Sequence, residues 1–347
     1  MGKIFITGAT GLVGTTLTEY LVSSKPLGIM KPTDIICYVR TPEKATFLQS
    51  LGVQIIQGCL EEKEKLYKIF QEHPIETVFH LAANVFVYST YVDMYKTNVE
   101  GVHNMLDAFT ASNATTFIHT SSIIVYDHHL GQYPEHSYKE EDAFGPIDPK
   151  KDVPYAITKR KGELLVHNYI KRFPEKKFII TRLGPVIGPR DRQMIPALKK
   201  ATLMKIPKLI NHGKGILCLV SPLDIAHAQI FLAENAKKFN GEVFNVANGM
   251  KSYLELFTLV SQYYNKKPPK ISIPLWLFHM VKPFLVLVRL IFPHNKFFRT
   301  FFSPTALIYF DHSYFYSSEK LKQSGFHFHE EIDSVIIRAC NCQIKKS

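Results

Sequence analysis

Tyr155 and Lys159 stand four positions apart in Tyr155-Ala156-Ile157-Thr158-Lys159, which puts a phenol and an ammonium on one face of a helix. Proton transfer to a carbonyl oxygen at neutral pH needs a donor whose ordinary value of about 10 is drawn down by a neighbouring positive charge. Lys159 is spaced to supply that charge and to hold a cofactor ribose. A third group should orient the reacting oxygen. Thr120-Ser121-Ser122 closes an apolar strand, and of the two serines we assign Ser122, four residues before Tyr126, with Ser121 as the alternate.

A second constellation opens the chain. The apolar run Lys3-Ile4-Phe5-Ile6-Thr7 leads straight into Gly8-Ala9-Thr10-Gly11-Leu12-Val13-Gly14 and then an amphipathic stretch. The first glycine permits a tight turn, the second lets a pyrophosphate approach bare backbone, and the third lets the new helix pack close to its strand with its N-terminus facing the anion. This strand-loop-helix context assigns Gly8, Thr10, Gly11, Leu12, Val13 and Gly14 to a dinucleotide cradle. The second strand ends Tyr38-Val39-Arg40. A cofactor without a 2′-phosphate normally wants a carboxylate there, whereas a guanidinium forks onto a phosphate dianion, so Arg40 favours NADP(H), with NAD the alternative. The bland reading of Arg40 is an exposed strand-end arginine.

The chain resembles the extended short-chain dehydrogenase/reductase family. The resemblance rests on Thr7-Gly8-Ala9-Thr10-Gly11-Leu12-Val13-Gly14, His80-Leu81-Ala82-Ala83, Asn98-Val99-Glu100-Gly101, Thr120-Ser121-Ser122, the Tyr155 to Lys159 run, and Arg182-Leu183-Gly184-Pro185-Val186-Ile187-Gly188-Pro189. It implies a catalytic set of Ser122, Tyr155 and Lys159, with Tyr155 as acid/base. It also implies cofactor contacts from Leu81, Ala82, Ala83, Pro185 and Val186, with Cys59 and Leu60 at the adenine end. Within the family, Ser221 to Ala228 and Tyr314 to Phe326 look like the branch of 3β-hydroxysteroid dehydrogenases and dihydroflavonol reductases. One departure stands out. The third strand ends Gly58-Cys59-Leu60, where the family usually carries an aspartate for the adenine amino group, and a thiol is a poor acceptor.

Apolar strands alternate with helical patterns through the first half: strands at 3–7, 34–40, 53–57, 77–83, 116–122 and 178–183, and helices at 12–24, 42–51, 61–72, 91–112 and 154–172. Such alternation predicts an α/β fold, a Rossmann-type doubly wound parallel sheet, with ligands beyond the carboxyl ends of the strands. The expected division is a dinucleotide domain over 1–188 with late sheet elements between about 216 and 248, and a smaller, mostly helical substrate domain from 189–215 and 249–347.

The 347 residues carry a net charge of +12, which favours anionic partners. Nucleic acid is not expected, because the basic runs are interleaved with proline and aliphatics and no nucleic-acid motif is present. Five cysteines, an odd number, point to reduced thiols in a cytosolic setting. No metal site is expected, since no second Cys or His pair stands at zinc-ligand spacing beside Cys340 and Cys342, and His128, His129, His312, His327 and His329 lack a third ligand.

Between Glu255 and Asp311 there is no acidic residue, yet Lys266, Lys267, Lys270, Lys282, Arg289, Lys296 and Arg299 fall inside, and Leu275 to Phe302 is dense in aromatics and aliphatics. Lys282, Pro283 and Arg289 interrupt it well short of the roughly twenty apolar residues a spanning helix needs. Two uses compete: an interfacial segment lying on an anionic membrane surface, its apolar face edged by cations, or a buried helix closing the substrate pocket or a homodimer contact. The sequence thus points to an NADP(H)-dependent oxidoreductase interconverting a secondary alcohol and a ketone on a bulky hydrophobic substrate, sterol-like, isoprenoid or aromatic, cytoplasmic or peripheral on a membrane. The alternative is a nucleotide-sugar epimerase or dehydratase holding NAD.

Overall fold

The computed structural model describes residues 2–86, 89–148, 152–203, 209–292, 295 and 312–344. Seven parallel strands form the main sheet: β1 (Lys3–Thr7), β2 (Ile35–Val39), β3 (Gln54–Gln57), β4 (Ile75–His80), β5 (Thr116–Ser122), β6 (Lys177–Leu183) and, after a strand β7 outside it, β8 (Val243–Val246). Their order is β8-β6-β5-β4-β1-β2-β3. The order reverses between β1 and β4, and that switch point is where an open α/β sheet leaves a crevice.

Alternation along the strands builds a core on each face. Ile4, Ile6, Cys37, Val39, Ile118 and Ile179 pack with Leu17 and Leu21 of α1 (Leu12–Ser24) and with Ile225 and Ala228 of α6 (Pro222–Glu234). Phe5, Ile36, Val78, Phe117 and Phe178 pack on the other side with α2 (Lys63–Glu72), α3 (Gly101–Thr110) and α4 (Pro154–Arg172). Strands buried on both faces read as continuous apolar runs, which is why their limits are visible in the sequence.

Two expected helices differ. The stretch from Tyr91 is a short helix, Tyr91–Tyr95, a π turn over Lys96–Glu100, and then α3. Pro42 to Leu51 resolves into a 3₁₀ turn at Pro42–Lys44 and a helix of five residues, Thr46–Ser50.

The late elements also differ from expectation. Only β8 joins the main sheet, whereas β7 (Ile216–Leu219) pairs antiparallel with β9 (Gly249–Ser252). Leu217 and Leu219 side with a third apolar cluster, formed with α5 (Met194–Leu203), α7 (Tyr253–Tyr263) and α9 (Ile332–Ile344).

The segment 275–302 is described as far as Phe292 in one helix, α8 (Leu275–Ile291), of which Phe278 alone is buried. Phe278, Lys282, Leu285 and Arg289 recur at four- and three-residue steps and so share one stripe, with the Lys282 ammonium over the Phe278 ring at 5.9 Å. The two cations therefore line the inward stripe instead of edging the exposed apolar face, because the apolar positions follow their own helical period. Lys296, Arg299, Phe297, Phe298, Phe301 and Phe302 lie outside the described residues. Among the described residues no helix is long and apolar enough to cross a membrane.

Candidate active site

One cleft of about 1150 Å³ opens beyond the carboxyl ends of the strands. Gly8, Thr10, Gly11, Leu12, Val13, Gly14, Arg40, Cys59, Leu60, Leu81, Ala82, Ala83, Ser122, Tyr155, Lys159, Pro185 and Val186 all line it. Gly8 has a φ of +72° and backs onto the Leu81–Ala82 backbone, while a side chain at Gly14 would collide with the Gly8 carbonyl. Both positions therefore require glycine. Gly11 caps α1 with no side chain bonding to its first N–H groups and no acid in the first turn. The exposed amides and the helix N-terminus make this end a fit for a pyrophosphate.

At the outer end Arg40 lines the cleft together with Lys44. The Tyr38 hydroxyl donates to the Cys59 carbonyl at 2.9 Å, and the Cys59 amide donates to Glu62 at 2.5 Å. These bonds fix the β3 exit backbone around the unusual cysteine. Its thiol is free, as are those of Cys37, Cys218, Cys340 and Cys342. Among the described residues no group of His, Cys, Asp and Glu side chains is arranged to hold a metal ion.

Tyr155 and Lys159 project from the first turns of α4 into the same cleft as Ser122. Burial pushes the Tyr155 phenol up to about 12, against a lowering hydrogen bond with Ser122. Burial likewise brings the Lys159 ammonium down to about 8, with Glu163 acting the other way. The ammonium donates to the Thr120 carbonyl at 2.8 Å. The expectation that Lys159 depresses the tyrosine is thus not met here: desolvation sets the direction, the opposing pull comes from the Ser122 hydrogen bond, and the ammonium is turned to backbone.

A supporting layer was not legible in the spacing. Ser121 donates to the buried Glu163 carboxylate, which also holds the Arg182 guanidinium at 2.7 Å. Burial alone would raise Glu163, but Arg182 and hydrogen bonds from His167, Arg182 and Ser121 hold it below the usual carboxylate range. Asn98, in the π turn, accepts from the Asn84 amide at 2.7 Å and donates to Asn84 O and Thr158 Oγ1, both at 3.1 Å. It thereby pins the loop after β4 to the helix bearing Tyr155. Thr7 Oγ1 bonds His80 Nδ1 at 2.9 Å and accepts from the Ala82 amide at 3.2 Å. The Asn98-Val99-Glu100-Gly101 and His80-Leu81-Ala82-Ala83 motifs were the only sequence signals for these positions.

Beyond Tyr155 the cleft wall turns apolar: Leu198, Leu209, Leu217, Leu256, Phe257 and Phe278 form it, joined by Leu285 from α8. Asp191, Arg192, Gln193 and Tyr253 also line the cleft.

A seven-stranded parallel sheet with a glycine cradle at its switch point and a Tyr/Lys pair beside it defines an extended short-chain dehydrogenase/reductase architecture. The chain belongs to the NAD dependent epimerase/dehydratase family, whose sequence profile matches residues 4–247. It is 27% identical over 258 residues to a 3beta-hydroxysteroid-dehydrogenase/decarboxylase of Arabidopsis thaliana, covering 72% of this chain and 56% of that protein. It is also 27% identical over 226 residues to a dTDP-D-glucose 4,6-dehydratase of Dictyostelium discoideum, covering 61% of this chain and 50% of that one. The chain thus spans about half the length of these curated relatives. A solved dTDP-glucose 4,6-dehydratase from Bacillus anthracis, in complex with NAD, shares the fold with a TM-score of 0.74 at 17% identity, over 99% of this chain and 97% of that one.

Proposed function

We propose that the protein is an NADP(H)-dependent oxidoreductase that interconverts a ketone and a secondary alcohol on a bulky hydrophobic substrate. The observation that carries this reading is the gradient along one cleft, from Arg40 and Lys44 past Tyr155 to the Leu198, Leu256 and Phe257 wall. The paired cations suit a 2′-phosphate, and Gly8, Gly11 and Gly14 suit the pyrophosphate. When bound, the nicotinamide supplies or accepts the hydride. Ser122 hydrogen-bonds the substrate oxygen and Tyr155 moves a proton to or from it, while Lys159 holds the cofactor ribose. Asn98 and the Ser121–Glu163–Arg182 group position these residues from behind.

A nucleotide-sugar dehydratase or epimerase is the second reading, supported by the similarity to dTDP-D-glucose 4,6-dehydratases and by Arg192 in the distal cleft. A sugar diphosphate, however, wants more polar partners than that wall provides. Recording the cofactor content of the purified protein separates the two: exchangeable NADPH and reduction of bulky steroid, flavonoid or long-chain ketones support the first, and tightly retained NAD with turnover of a nucleotide sugar overturns it.

A further inference from the structure

Helix α8 has two apolar stripes with different fates. Its inward stripe sends Phe278 and Leu285 into the cleft. The other stripe, Trp276, Met280, Phe284, Leu287 and Ile291, follows the i, i+4, i+8, i+11, i+15 rows of one helix face and is open to solvent, with Trp276 65% and Met280 70% exposed. Five large apolar side chains in a row on one surface helix mark an interaction face.

Two occupants suit such a face, a second copy of the chain or a lipid surface, and charge separates them. No acidic residue occurs between Glu255 and Asp311. Lys266, Lys267 and Lys270, exposed in the loop that runs into α8, stand on the N-terminal side of Trp276. A two-fold contact through this face would set like charges against like with no acid from the same segment to offset them. An anionic bilayer surface complements both the lysines and the apolar row, and Trp and Phe are side chains that favour the headgroup boundary. The helix lies along such a surface, since its 17 residues with Pro283 inside do not make a span.

We infer that α8 docks the protein on an anionic lipid surface through Trp276, Met280, Phe284, Leu287 and Ile291, assisted by Lys266, Lys267 and Lys270. Because the opposite stripe of the same helix walls the cleft, the docked protein receives its hydrophobic substrate from the lipid phase; this second part rests on the proposed function.

Trp276 is the chain's one tryptophan, so its fluorescence reports on this face and nothing else. With the full chain, phosphatidylserine-containing vesicles shift the emission to shorter wavelength and carry the protein upward in flotation, while pure phosphatidylcholine vesicles do so weakly. Lys266→Ala/Lys267→Ala/Lys270→Ala loses about tenfold or more in partitioning, and Met280→Glu/Phe284→Glu abolishes the shift with an unchanged melting temperature. No shift and no flotation with anionic vesicles overturns the docking. So does an equal response to both lipids, or a concentration-dependent shift without lipid that accompanies dimer formation in sedimentation. On a ketone dissolved in vesicles Met280→Glu/Phe284→Glu is slowed while a short water-soluble ketone is reduced at the original rate; equal rates on both overturn the lipid-phase route. If no ketone is reduced by any form, the proposed function fails, and the docking stands or falls on the fluorescence alone.

Discussion

Ser121 and Ser122 are neighbours at the end of β5, yet their hydroxyls serve opposite sides: Ser121 donates into the core to Glu163, and Ser122 bonds Tyr155 in the cleft. A strand alternates its side chains between faces, so the two serines cannot share a role. Ser122→Ala should lower kcat about a hundredfold, as loss of one donor to a reacting oxygen does, with an unchanged melting temperature. Ser121→Ala should do the reverse in kind, changing stability more than kcat. Steady-state kinetics beside thermal melts checks both, and a larger kcat loss in Ser121→Ala would exchange the assignments.

Glu163 is fully buried and is the carboxylate that faces the buried Arg182. Glu163→Gln leaves that guanidinium uncompensated and should cost about 3–5 kcal/mol of stability, read from denaturant midpoints. Little change would mean that water or another group already screens Arg182.

Arg40 and Lys44 line the cleft at the expected 2′-phosphate position. Removing one charge-assisted contact is worth about 1.5–3 kcal/mol, so Arg40→Ala should raise the Kd for NADPH roughly tenfold to a hundredfold and leave NADH nearly unchanged. Parallel titrations of both cofactors test this, and equal losses for both would remove the phosphate role.

Burial, and then the nearby Lys159 charge, hold His80 down to about 3 from an ordinary 6.5, and His119 beside it is lowered by burial first as well. A histidine with a depressed native value binds its proton only on unfolding. Its stabilisation is therefore fully present above about pH 6.5 and drains away as pH falls towards 3, by up to about 1.4 kcal/mol per pH unit for each group. Urea midpoints at pH 7 and pH 5 should show the loss, and His80→Asn should reduce it, leaving the share of His119. A slope unchanged in His80→Asn would place the acid sensitivity elsewhere.

Much of the first half was readable because its elements are locally determined. The limits expected for β1, α1, β5 and α4 coincide with those found, since a strand buried on both faces and a helix opened by Gly11 or Pro154 advertise their own ends. The cleft is lined by every residue assigned there to catalysis or cofactor contact, from the Gly8 cradle to Val186. What stayed hidden was tertiary. The Ser121–Glu163–Arg182 group joins β5, α4 and β6, Asn98 works through a π turn that a helical period does not distinguish, and β7 left the main sheet because its partner, β9, lies thirty or so residues on. The balance at Tyr155 was also out of reach, as desolvation depends on what surrounds the phenol and not on the lysine one turn away.

In the proposed reaction the Tyr155 phenol delivers a proton to a substrate ketone as the nicotinamide gives up its hydride. The direct measurement is NADPH oxidation with a bulky ketone by the wild-type protein and by Tyr155→Phe, together with the NADPH Kd of each. The expected result is turnover in the wild type, loss of about a hundredfold to ten-thousandfold in the variant, and nearly equal Kd values. Full activity in Tyr155→Phe would contradict it.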